Sequence, residues 1–323
     1  MIITRTPFRI SLAGGGTDLA EFYAREEGAV VSFAIDKYMY ITVHPRFEKT
    51  IRVSYSKTEI VDRPDDLEHP IVREALKTTG IDSHIEIISM ADIPANTGLG
   101  SSSSFTVGLL HALWSYKGKR VGAEDLARQA CAIEIERLKE PIGKQDQYIA
   151  AYGNLRQIRF LPNGLVRTKA LSVKPAVRRA LADNLLVFYT DMTRRASDIL
   201  SEQKRQTADK MSVLKAMRDM ADELARVLEK GQKLDRVGEI LDQSWALKKS
   251  LAPGITNPRI EELYDDARKA GAIGGKILGA GGGGFLLLYA ARGRQGAVRR
   301  ALSSLRPLTF ALEPRGSVIA HRN

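Results

Sequence analysis

The chain has 323 residues, 44% of them hydrophobic and 27% charged, with a net charge of +11. That size and composition exclude a disordered chain and accommodate two packed units of roughly 150 residues each. A single cysteine, Cys131, excludes an internal disulfide framework and a cysteine-rich zinc site, and is in keeping with a reducing, cytoplasmic location.

The opening MIITRTPFRI has no basic segment followed by an apolar core, so no secretory signal is expected. Residues 2–13 and 29–44 carry β-branched and aromatic residues in partial alternation and predict strands, as do 51–55 and 85–89. Between the first two, Gly14-Gly15-Gly16-Thr17-Asp18 predicts a tight turn before a helix over 19–25. Asp18 there either caps the helix or presents a carboxylate to a ligand. Helical spacing follows over 105–117 and 123–138, and a strand pattern returns at 156–161. Strands so irregularly separated exclude a Rossmann series and indicate an α+β fold. A boundary near residue 175 separates units 1–175 and 176–323. The second opens with a strand at 184–189 and continues as helices over 197–230, 234–251 and 258–270, each followed by Gly or Pro-Gly. It ends with a strand at 284–290, a helix at 295–305 and strands at 308–312 and 317–320. About half of the basic excess lies here: residues 291–323 hold seven Arg and one acid. Without interleaved aromatics this reads as a solvated face and not a nucleic-acid surface. No apolar run approaches the roughly 20 residues of a membrane helix. Neither nucleic acid nor membrane is therefore an expected partner.

Three loops carry the chemistry. Pro94-Ala95-Asn96-Thr97-Gly98-Leu99-Gly100-Ser101-Ser102-Ser103-Ser104 leads from a strand into a helix, where glycines admit a ligand to the backbone and the helix start offers unpaired N–H groups. A phosphate is expected there, with the serine hydroxyls as further donors and one as a magnesium ligand. No Gly-Lys-Ser/Thr follows, so the loop is not a Walker A motif. Gly279-Ala280-Gly281-Gly282-Gly283-Gly284 has the letters of a dinucleotide fingerprint, but the strand pattern comes after the glycines instead of before them. The third loop is residues 14–18. Between the loops stand two acids of one helical stretch, Glu134 and Glu136, and then Asp146. Asp146 is a candidate general base for an attacking hydroxyl. Glu134 and Glu136 point to different sides of a helix, so one of them is expected to complete a magnesium site with Ser102.

Taken together, Arg9-Ile10-Ser11-Leu12-Ala13-Gly14-Gly15-Gly16-Thr17-Asp18, Pro94-x3-Gly98-Leu99-Gly100-Ser101-Ser102-Ser103 and Gly279 to Gly284 resemble the three signature motifs of the GHMP kinases. Within that superfamily the segments TPFRISLAGGGTDL, GKQDQY and GGKILGAGGGGF look most like those of heptose 7-phosphate kinases. The resemblance implies an N-terminal domain like ribosomal protein S5 domain 2 and a ferredoxin-like C-terminal domain. It implies ATP and Mg²⁺, with the nucleotide phosphates on Pro94 and Gly98, Leu99, Gly100, Ser101, Ser102, Ser103 and Ser104. Ser102 and Glu136 are the expected metal ligands, with Glu134 as the alternative. Asp146 is the expected base and Arg9 its companion. Gly15, Gly16, Thr17, Asp18, Gly281 and Gly282 are assigned to the acceptor, and Arg194 to its existing phosphate. The implied reaction phosphorylates the anomeric hydroxyl of a sugar phosphate, D-glycero-α-D-manno-heptose 7-phosphate, by a monomer or homodimer. The alternatives are a galactokinase- or fucokinase-like enzyme for an unphosphorylated sugar and a sugar sensor without turnover.

Overall fold

The computed structural model describes residues 1–192 and 196–323. The first half runs through strand β1 (Ile2–Ala13), short helix α1 (Ala20–Tyr23), the long β2 (Gly28–Pro45), the hairpin β3 (Ile51–Ser54) and β4 (Thr58–Val61), then helix α2 (Pro70–Thr79) and β5 (Ile85–Ala91). Helices α3 (Ser101–Tyr116) and α4 (Ala123–Cys131) follow, then a π-helical turn over Ala132–Arg137, α5 (Gln145–Tyr152) and the hairpin β6 (Leu155–Phe160) and β7 (Val166–Ala170). The second half comprises α6 (Pro175–Asn184), β8 (Leu185–Tyr189), α7 (Ala196–Gln206), α8 (Met211–Lys230), α9 (Asp235–Lys249), α10 (Pro258–Lys269), β9 (Gly274–Ile277), β10 (Phe285–Tyr289), α11 (Gln295–Ala301), β11 (Arg306–Pro307) and β12 (Val318–Arg322).

Two sheets result. The larger has the order β12-β1-β2-β5-β3-β4, with β6 and β7 branching from β2; the smaller is β11-β8-β10-β9. β2 divides its length between partners, pairing β6 over 28–33 and β5 over 39–45. Residues 28–35 are buried without alternation because α3 and α8 both pack on the β1–β2 pair. On α8 the buried Leu214, Met217, Ala221, Leu224 and Leu228 recur at helical spacing and form the face turned to that pair. α3 lies close to β1 because Gly108 has no side chain: a Cβ there would stand 2.7 Å from the Thr6 hydroxyl. One apolar cluster runs from Phe8 and Ile10 through Leu224 and Leu241 to Leu287 and Tyr289, so the two sheets share a core. Among the described residues no helix is long and apolar enough to cross a membrane.

Several sequence expectations change. The helix expected over 197–230 breaks at residues 207–210, separating α7 from α8. The one expected over 123–138 ends as α4 at Cys131 and gives way to the π-helical turn. Residues 308–312 do not form a strand; β11 is Arg306–Pro307, and Leu312 makes only an isolated bridge to Ile35. The last strand leaves the second sheet altogether and pairs with β1. The second unit, taken as 176–323, therefore ends on a strand that lies in the first unit's sheet. Helices α2, α5 and α6 and strands β4, β7 and β9 were not foreseen.

Candidate active site

The phosphate loop is built by backbone conformation. Gly98 and Gly100 have φ values of 84° and 78°, in the left-handed region that glycine tolerates. Gly100 is the N-cap of α3 and no side chain caps the helix, which leaves its first N–H groups for a ligand. Gly98, Gly100, Ser101, Ser102 and Ser103 line a cavity of about 170 Å³. The other expected phosphate residues hold the loop in place. The Ser104 hydroxyl donates to the Pro7 carbonyl at 2.9 Å, and Leu99 is buried while its carbonyl accepts from the Arg9 N–H at 3.1 Å. Pro94 stands outside the cavity, its carbonyl accepting from the Thr97 hydroxyl at 2.9 Å.

Asp146, in the first turn of α5, meets Arg9 of β1 in the same cavity. Arg9 Nε donates to Asp146 Oδ1 at 2.7 Å and Nη2 to Oδ2 at 2.6 Å, a bidentate, charge-assisted pair. The remaining Nη1 donates to the Gly98 carbonyl at 2.6 Å, so one guanidinium fixes the position of the carboxylate relative to the phosphate loop. The Asp146 side chain keeps 22% of its surface exposed. A carboxylate oxygen has two lone pairs, so one already bonded to Arg9 can accept a second donor.

Gly15, Gly16 and Asp18 also line this space. Asp18 does not cap α1, whose N-cap is Leu19 without a side-chain bond. It accepts instead from the Gly16 N–H at 3.0 Å and the Gln145 N–H at 3.4 Å. Burial first, and then the nearby Asp146, push its carboxyl above the usual range. Thr17 is a correction. It is fully buried, bonds the Gly14 carbonyl at 2.8 Å and accepts from the Ala29 N–H at 3.1 Å, so it holds the turn and does not face the cavity.

The expected metal pair is also corrected. Glu136 is exposed, whereas Glu134 is fully buried and accepts from the Ser102 hydroxyl at 2.6 Å and from Gln147 Nε2 at 2.8 Å. The π-helical turn carries both residues, and its wider winding aims Glu134 at α3. Burial pushes the Glu134 carboxyl up to about 7 against the two hydrogen bonds, and a cation would reverse that effect. A carboxylate and a hydroxyl are the oxygen donors a magnesium ion takes. Among the described residues no cluster of three His, Cys, Asp or Glu exists.

The second half closes the cavity. The glycine loop before β10 sits against the phosphate loop: a Cβ on Gly279 would lie 2.6 Å from the Gly98 Cα. Gly279 and Ala280 line the cavity, but Gly281 and Gly282 do not. Gly282 N–H donates to the Ile255 carbonyl at 2.8 Å, and a Cβ on Gly281 would meet that carbonyl at 2.6 Å, so both pack the loop instead of facing the acceptor. Arg194 lies outside the described residues. Two lysines were missed. Lys248 of α9 donates to the Gly279 carbonyl, and Lys276 of β9 donates to the carbonyls of Ser11 at 3.0 Å and Leu12 at 3.4 Å. Burial pushes Lys248 down to about 8 and Lys276 well below its usual value. A signal existed in the sequence: Lys248 follows Leu241 and Trp245 at helical spacing, a cation on an apolar face.

The model of the GHMP kinases N terminal domain matches residues 69–154, and that of the GHMP kinases C terminal domain matches residues 220–307. A D-glycero-alpha-D-manno-heptose 7-phosphate kinase of Campylobacter jejuni is 29% identical over 311 residues, covering 89% of each chain. An L-fucokinase/L-fucose-1-P guanylyltransferase of Bacteroides fragilis is 27% identical over 91% of this chain and 35% of its own. The crystal structure of a D-glycero-D-manno-heptose 1-phosphate kinase from Bacteriodes thetaiotaomicron superposes with a TM-score of 0.81 at 24% identity, over 98% of both chains. The chain belongs to the GHMP kinases, ATP-dependent enzymes that phosphorylate hydroxyl groups.

Proposed function

We propose that the protein transfers the γ-phosphoryl group of ATP to the anomeric hydroxyl of D-glycero-α-D-manno-heptose 7-phosphate, giving the 1,7-bisphosphate in nucleotide-activated heptose synthesis. The observation that carries this reading is the Arg9–Asp146 pair, held by one guanidinium beside the phosphate loop in a cavity that also contains Asp18. The choice of sugar rests on the similarity to the heptose 7-phosphate kinase.

The nucleotide phosphates lie on the N–H groups of Ser101 to Ser103. Ser102 and Glu134 hold the magnesium ion, which supplies charge neutralisation to the phosphates when bound. Asp18 accepts from acceptor hydroxyls and orients the sugar. The anomeric oxygen attacks the γ-phosphorus, the bond to the ADP oxygen breaks, and the hydroxyl proton passes to the free lone pair of Asp146. Arg9 keeps that carboxylate aimed and faces the developing charge. Positioning and fixed electrostatics supply most of the rate.

A coupled assay of ADP release with ATP and magnesium across heptose 7-phosphate, mannose 6-phosphate, galactose, fucose and mevalonate tests the assignment. Turnover confined to heptose 7-phosphate is expected. Preference for an unphosphorylated sugar would favour the fucokinase-like reading, which the Bacteroides relative supports. Nucleotide binding without turnover on any acceptor would favour a sensor.

A further inference from the structure

Lys248 has no role in the mechanism above, yet it lies in the same cavity and only 6% of it is exposed. Among the described residues its bonded partner is the Gly279 carbonyl, and Gly279 packs directly on Gly98 of the phosphate loop. The ammonium thus stands where the two glycine loops meet, and the ionised groups that act on it are Arg9 of β1, Asp18 of the first loop and Asp146 of α5. Lys276, which is also coupled to it, is spent on two carbonyls of β1 and ties the second sheet to the first.

The charges of the cavity are unevenly matched. Arg9 and Asp146 satisfy each other through two hydrogen bonds, whereas among the described residues Lys248 is bonded to no carboxylate. A neutral donor would hold the Gly279 carbonyl equally well, and burying an ammonium without a carboxylate partner is costly. The missing counter-charge is expected from the ligand. A phosphoryl group passing from the loop at Ser101–Ser103 to an acceptor hydroxyl at Asp146 travels along this wall of the cavity.

We propose that Lys248 is a catalytic residue of the transfer, its ammonium binding the equatorial oxygens of the phosphoryl group as it moves from ADP to the acceptor. The step balances as before: the bond from phosphorus to the ADP oxygen breaks, the bond to the acceptor oxygen forms, Asp146 takes the hydroxyl proton, and Lys248 keeps its own protons throughout. This rests on the kinase reading but not on the identity of the sugar.

The test compares the wild type with Lys248→Met and Lys248→Arg, using the full chain, ATP, magnesium and whichever acceptor of the panel turns over, or water if none does. Lys248→Met is expected to lower kcat by about 10²-fold while the ATP dissociation constant moves by less than about threefold. The pH profile separates a catalytic charge from a loop tether. In the free enzyme the lysine loses its proton as pH rises through about 8, so wild-type kcat/KM for ATP falls above that pH. Lys248→Arg stays charged, so its kcat/KM stays level across the same range, whatever its absolute rate. Parallel falls in the wild type and Lys248→Arg, or a Lys248→Met loss carried by KM or ATP affinity with kcat intact, overturn the proposal. A wrong heptose assignment fails in the acceptor panel, whereas a wrong lysine assignment fails in the Lys248→Arg profile.

Discussion

Single side chains in this site have separable tasks. Asp146→Asn keeps the shape of the carboxylate but loses its charge, its basic oxygen and one of the two hydrogen bonds it accepts from Arg9. Turnover is expected to fall by about 10²-fold or more with ATP affinity retained, which coupled ADP release and a nucleotide titration will show. Glu134 and Glu136 make a controlled pair, because they sit two residues apart on one turn and only Glu134 meets Ser102. Glu134→Gln is expected to raise the half-saturating magnesium concentration at least about tenfold, and Glu136→Gln to leave it unchanged; equal effects would remove Glu134 from the metal site. At this scale the sequence marked residue types suited to the proposed chemistry, Asp146 and Arg9 among them. It did not show orientation. The choice between Glu134 and Glu136 depended on whether the stretch continued as an α-helix, and local spacing does not register a π-helical turn.

At the scale of elements, the decisive pieces are short glycine loops joined to regular structure. Gly100 places the start of α3 against the Arg9–Asp146 pair, and a Cβ there would stand 3.2 Å from Asp146 Oδ2 and 3.3 Å from Arg9 Cγ. Gly100→Val adds a β-branched side chain in a left-handed conformation to that crowding. We expect ATP affinity to drop at least about tenfold and turnover to drop with it, measured by nucleotide titration and coupled assay. Unchanged ATP affinity would place the phosphates elsewhere. The strands β1 and β2, and helices α3, α9 and α10, were legible because their apolar residues recur at the period of the element. The break between α7 and α8 was not, since residues 207–210 contain neither glycine nor proline and helical spacing resumes beyond them.

Over the whole molecule, the end of the chain returns to its beginning. β12 pairs with the outer edge of β1, the Ser317 hydroxyl bonds Thr6 at 2.8 Å and His111 at 3.0 Å, and Glu313 N–H donates to the Ala34 carbonyl at 2.9 Å. Removing residues 313–323 exposes the edge of the strand that carries Arg9. Melting is expected to fall by roughly 5 °C or more while ATP affinity is retained, as followed by calorimetry and nucleotide titration. The sequence alone determined the α+β class, the three glycine loops and their order, and the residue types needed for phosphoryl transfer, because each is written in a contiguous stretch with its own spacing. Only the tertiary structure decided that Glu134 meets Ser102, that Thr17, Gly281 and Gly282 hold loops, that Lys248 of α9 and Lys276 of β9 enter the cavity, and that the last strand joins the first. These are contacts between segments tens to hundreds of residues apart, and they depend on how sheets and helices pack, a property that no local pattern of residues records.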